Sequence, residues 1–142
     1  MSIVGRETEI KMMRSLLHDD KAHMLALIGR RRVGKTFLIR TTYQEHIVFE
    51  MTGLKDATLD HQLLNFTFQF NRFFPQIEPL AGLKEWLTAF HKITEELQKL
   101  PSDKKPVLFF DELPWIAGKR SGFIEALAHW WNNWASQQNI LL

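Results

Sequence analysis

Gly29, Arg30, Arg31, Arg32, Val33, Gly34, Lys35 and Thr36 stand directly behind the apolar run Met24, Leu25, Ala26, Leu27, Ile28 and directly ahead of Phe37, Leu38 and Ile39. A glycine, four residues, a second glycine, then Lys and a hydroxyl side chain is a demanding pattern. Glycines take backbone conformations closed to other residues, so successive N–H groups can turn inward around an anion. The helix that follows then adds the positive end of its dipole. The pattern therefore predicts three things in order. A buried strand covers residues 24–28, a phosphate-cradling loop follows, and a helix runs from the end of that loop to about Tyr43.

The remaining periodicities extend this reading. Ile10, Met13, Leu16 and Leu17 recur at helical spacing, with Glu9, Lys11 and Arg14 on the opposite face, and predict an amphipathic helix over residues 7–17. Ile47, Val48, Phe49 and Met51 predict a second strand ending at Gly53, the spacing of a strand–helix–strand unit. Leu63, Leu64, Phe66, Phe68, Phe70, Phe73 and Phe74 cover more than one helical face and predict a buried helix closed by Pro75. Leu83, Trp86, Leu87, Phe90, Ile93 and Leu97 predict a long amphipathic helix stopped near Pro101. Val107, Leu108, Phe109 and Phe110 form a further apolar strand that runs into Asp111 and Glu112. Phe123, Leu127, Trp130 and Trp134 define a last helix, and Ile140, Leu141 and Leu142 begin another strand.

A length of 142 residues, 45% of them hydrophobic, suits one domain or part of one. The formal charge of +2 gives no dominant field. There is no cysteine, which excludes disulfide scaffolds and Cys-ligated metal. No apolar stretch approaches the roughly 20 residues of a membrane span. A membrane partner is not expected, and the start Met1, Ser2, Ile3 lacks the features of a secretory signal, so a cytoplasmic location is. The six histidines show no metal-ligand spacing, and the glycosylation pattern at Asn65, Phe66, Thr67 is read as chance. An apolar strand as the closing element predicts a truncated fragment.

In the glycine-rich segment, known as a Walker A motif or P-loop, Lys35 is placed to bridge β- and γ-phosphates and Thr36 to coordinate Mg²⁺, while Phe37 and Leu38 anchor the helix behind. Asp111, at the end of an apolar strand in the manner of a Walker B motif, is placed to hold the Mg²⁺ hydration shell. Glu112 is placed to polarise an attacking water, and alternation along the strand points it away from Asp111. Together the two motifs indicate a P-loop NTPase with its catalytic glutamate beside the Walker B aspartate.

Ile3, Val4, Gly5, Arg6 and Glu7, the segment from Gly29 to Thr36, and Asp111, Glu112, Leu113, Pro114 and Trp115 resemble the archaeal-type ATPases of the AAA+/STAND group. Thr52, Gly53, Leu54 and Lys55, and Ser121, Gly122 and Phe123, add to the likeness, which spans nearly all of the chain. The resemblance implies an α/β fold, a three-layer αβα P-loop domain of AAA+/ASCE type. Its parallel strands would lie at 24–28, 46–51, 107–111 and 139–142 in the order 1-4-3-2, incomplete at the C-terminus. It implies that residues 1–142 are the N-terminal part of such a domain, without its lid and C-terminal domain. It implies ATP and Mg²⁺ as ligands, with Val4, Gly5 and Arg6 lining the adenine side. Missing elements would come from a second copy or a partner protein, so turnover by this piece alone is expected to be slow. Arg120 is the one candidate arginine finger after Asp111.

Two alternatives to an ATPase accompany this reading: a nucleotide-gated switch that holds ATP or ADP with little hydrolysis, and a DNA-associated ATPase. Nucleic-acid contact would fall to Arg30, Arg31 and Arg32, or to the tryptophans Trp86, Trp115, Trp130, Trp131 and Trp134. Their helical spacing reads first as core. Trp131, off the apolar stripe of the last helix, is the candidate for contact with a partner.

Overall fold

The computed structural model describes residues 7–26, 34–101, 103–118 and 120–142. Within them the elements are α1 (Glu7–Ser15), α2 (Lys35–Thr42), β1 (Ile47–Thr52), α3 (Leu59–Phe73), α4 (Trp86–Leu97), β2 (Val107–Asp111), α5 (Leu113–Ile116) and α6 (Phe123–Asn133). A single 3-10 turn, Ala135–Gln137, follows α6.

The sheet departs from expectation. Among the described residues it is two-stranded, with β1 and β2 parallel and Thr52 opposite Asp111, and the expected four-stranded, three-layer αβα P-loop sheet is not formed. Both remaining apolar segments fall short of a strand. The segment from residue 24 is represented by the isolated bridge of its neighbour His23 to Leu141, and residues 27 and 28 lie outside the described set. The segment 139–142 pairs only through Leu141, which bridges His23 on one side and Val107 on the other. A ladder needs successive paired residues. Around those bridges His23 and Leu25 exchange backbone bonds with Ile140 and Leu142, and Leu141 bonds Pro106 and Leu108, a contact too short to extend into a ladder.

The main core grows on one side of β1 and β2. α3 packs on β1, and α4 packs on both α3 and α6. α3 turns Leu63, Phe66 and Phe70 inward but leaves Leu64 (48%) and Phe68 (60%) exposed, so it is an amphipathic helix and not the fully buried one expected from its composition. Thr58 caps it, its hydroxyl accepting from the His61 N–H. α4 begins at Trp86 and buries Ala89, Phe90, Ile93 and Leu97 at spacings of three and four. Edge-to-face packing joins the helices: Trp86 meets Phe123 at 4.9 Å and Phe66 at 5.7 Å between ring centres. Trp130 stacks on Phe90, and its indole N–H donates to the Thr94 hydroxyl at 2.8 Å.

A second, smaller core of Met13, Leu38, Tyr43, Val107 and Leu141 fastens α1 and α2 to β2. The buried Tyr43 hydroxyl donates to the Met13 carbonyl at 2.9 Å. Lys105, also buried, donates from Nζ to the carbonyls of Leu16 and Lys21 and to Asp19 Oδ1. These bonds fix α1 against the approach to β2, and α2 is thereby held with its N-terminus at the C-terminal end of that strand.

Candidate functional site

The site forms where α2 begins and β2 ends. Gly34, at φ 79°, occupies the left-handed region that glycine enters without steric cost, and Lys35 opens α2 immediately after it. The Leu38 N–H bonds back to the Gly34 carbonyl at 2.8 Å, so the first turn is closed. In that turn the Thr36 hydroxyl donates to Asp111 Oδ2 at 2.8 Å, across 75 positions of sequence.

Asp111 is the last residue of β2, and its second oxygen, Oδ1, accepts the Glu112 N–H at 2.9 Å. Glu112 then leaves the strand at φ 56°, ψ 46°. The regular alternation of the strand stops at Asp111, and both acids line one cavity. That cavity holds about 690 Å³, and its polar lining is Gly34, Lys35, Thr36, Asp111 and Glu112 beside apolar residues such as Leu25, Ile39, Leu108 and Leu141. Tyr43 also borders it, and burial pushes its hydroxyl pKa up from 10.0 to about 12, so the ring is neutral across the physiological range.

Three residues to which the sequence reading gave no site role support the turn after β2. The Gly53 N–H donates to the Asp111 carbonyl at 2.9 Å, and a Cβ at Gly53 would stand 2.7 Å from both the Glu112 carbonyl oxygen and Ile116 Cγ1. Gln62, on α3 and 2% exposed, accepts the Leu54 N–H at Oε1 (3.1 Å) and donates from Nε2 to the carbonyls of Leu54 (2.7 Å) and Trp115 (2.9 Å). Asn65, one turn on, donates to the Thr52 carbonyl at 2.7 Å. For Gln62 and Asn65 the available signal was a polar side chain next to the apolar positions Leu63, Leu64 and Phe66 of α3.

Other expected site residues are placed as follows. Gly29, Arg30, Arg31, Arg32 and Val33, and Val4, Gly5 and Arg6, lie outside the described residues. Phe37 is 40% exposed and does not line the cavity; Leu38, with Ile39 packed beside it, anchors α2 in the smaller core. Arg120 is exposed in the turn before α6, and Trp131 is partly buried against the main core.

One hydroxyl and one carboxylate side by side are hard oxygen donors of the kind Mg²⁺ takes while keeping waters and phosphate oxygens in its remaining positions. Thr36 and Asp111 therefore fit such an ion. Among the described residues there is no group of three or more His, Asp or Glu able to hold a metal by themselves, and no helix long and apolar enough to cross a membrane. Comparison with protein-family models, curated proteins and solved structures finds no match to this chain.

Proposed function

We propose that this site binds a nucleoside triphosphate with Mg²⁺ and hydrolyses the bond between its β- and γ-phosphates, ATP being the nucleotide that the resemblance to archaeal-type ATPases implies. The observation that carries the reading is the contact between Thr36 and Asp111, which joins the two sequence motifs on one cavity with Lys35 and Glu112. The reading stands on the site and not on the expected sheet, since function resides in the constellation of groups.

Each group has a distinct task. Gly34 and the first turn of α2 present backbone N–H groups and a positive helix end to phosphate oxygens. Lys35 supplies a point charge toward the β- and γ-phosphates. Thr36 and Asp111 would hold Mg²⁺, which when bound neutralises charge on those phosphates. Glu112 orients a water and takes its proton as the new O–P bond forms and the bond to the bridging oxygen breaks, releasing the diphosphate and inorganic phosphate.

The test is a thermal melt of the wild type and of Lys35→Ala, with and without Mg-ATP or Mg-ADP. Ligand at about 100 times its dissociation constant adds about 2.7 kcal/mol, a shift of several degrees for a chain of this length. The shift is expected in the wild type and absent in Lys35→Ala. Phosphate release that disappears in Glu112→Gln while binding persists assigns the hydrolytic step to that carboxylate. A cooperatively melting wild type that shows no shift overturns the reading.

A further inference from the structure

We infer that Gln62 is a positioning residue for Glu112, acting from α3 through Leu54 and Trp115. Glu112 leaves β2 in a left-handed conformation, which is strained for a residue with a side chain. Such a conformation persists where the surroundings over-determine it. The Asp111 carbonyl and one Asp111 carboxylate oxygen are each bonded beside the turn, to the Gly53 and Glu112 N–H groups, so the strand side is fixed. On the far side α5 is a single turn, Leu113–Ile116, too short to hold itself by its own hydrogen bonds.

Gln62 closes that gap. Its amide makes all three of its bonds to backbone, two on Leu54 and one on the Trp115 carbonyl, so one buried side chain clamps the segment after β1 to the helix after Glu112. The clamp is specific in its chemistry. An amide of this length offers the acceptor and two donors that the three backbone groups require, and neither an apolar nor an acidic side chain does. Asn65 anchors the same segment one step earlier, at Thr52, which lies opposite Asp111 in the sheet. The position of Glu112 in the cavity is therefore set by α3 as well as by its own strand.

The experiment compares the wild type with Gln62→Met, which removes all three bonds at similar volume, and Gln62→Glu, which keeps the acceptor for Leu54 and loses both donors. Amide hydrogen exchange of residues 112–117 is expected to accelerate about tenfold in both variants, while the amides of α4 and β2 hold their protection. Unchanged exchange at 112–117, or an equal rise along the whole chain with a collapsed melt, overturns the inference. The kinetic arm rests on the hydrolytic reading given above. There kcat falls about tenfold in both variants with Mg-ADP affinity retained, and an unchanged kcat also overturns the inference. If the wild type neither binds nor hydrolyses Mg-ATP, the hydrolytic reading fails, and the exchange pattern still decides the role of Gln62.

Discussion

A Cβ at Gly53 would stand 2.7 Å from the carbonyl oxygen of Glu112, closer than real side chains approach backbone. The same atom would meet Ile116 Cγ1 at 2.7 Å, so it is hemmed in by two parts of one turn. Gly53→Ala is expected to push the Glu112 turn away from β1, at a cost of about 1–3 kcal/mol for overpacking. The melting temperature should drop by several degrees and phosphate release should fall with it. A variant that melts like the wild type would show that the turn yields freely and is not held by close packing.

Thr36 and Asp111 invite a test of Mg²⁺ dependence. Thr36→Ser keeps the hydroxyl beside Asp111 Oδ2, whereas Thr36→Ala removes it and leaves the carboxylate as the remaining donor of the pair. In Thr36→Ala the Mg²⁺ concentration that supports half-maximal nucleotide binding should rise by about 10- to 100-fold, and Thr36→Ser should stay close to the wild type. Titrating Mg²⁺ at fixed nucleotide reads this directly. Equal Mg²⁺ dependence in all three proteins would remove Thr36 from the metal site.

How much of this was legible in the sequence depends on the range of the interaction. Apolar spacing located α1, α3, α4 and α6, which each bury one face, and apolar runs located β1 and β2, the latter buried on both faces. The same composition misled at residues 24–26 and 139–142, where strand formation depends on paired neighbours and the described residues form only the bridges of Leu141 to His23 and Val107. It misled again at Leu64 and Phe68, whose hydrophobicity says nothing of which way α3 turns. That Lys35, Thr36, Asp111 and Glu112 share one cavity was legible because the two motifs set those residue types at fixed positions beside a helix start and a strand end. The support was not. Gln62 reaches Trp115 across 53 positions, and Gly53 matters for a contact with Glu112 that no spacing encodes. α5 was missed for a related reason: one turn carries no period, and it starts only because Glu112 reverses the chain.

Lys105 ties the segment that follows α1 to the approach to β2. Its side chain is 1% exposed, and its ammonium is shared among the Leu16 carbonyl, the Lys21 carbonyl and Asp19. Lys105→Met fills the same space but leaves two carbonyls without that donor, so the melting temperature should fall by several degrees or more. Asp19→Asn removes the carboxylate charge that Lys105 and His23 face, at a partner open to solvent, and should fall less. If the two variants lose equal stability, the ion pair dominates and the carbonyl contacts contribute little.

Stability should also decline at both ends of the pH scale, by opposite routes. The Tyr43 hydroxyl is pushed up to about 12 by burial, against 10.0 for the exposed group. Between those values the unfolded chain has released the proton and the folded chain retains it, so stability falls as pH rises; below about 10 the contribution is fully present. Asp19 behaves in the reverse sense. Hydrogen bonds from Lys105, then from His23 and the Lys21 N–H, hold its carboxyl well below the usual 3.8, so its contribution is present above that value and is lost as pH falls through and below it. Denaturant unfolding measured across pH separates the two. Tyr43→Phe should flatten the alkaline limb and leave the acid limb unchanged, because it removes the group that titrates along with its bond to the Met13 carbonyl. Asp19→Asn should flatten part of the acid limb alone. An alkaline limb that keeps its slope in Tyr43→Phe would mean that another group, and not this buried phenol, sets the stability lost there.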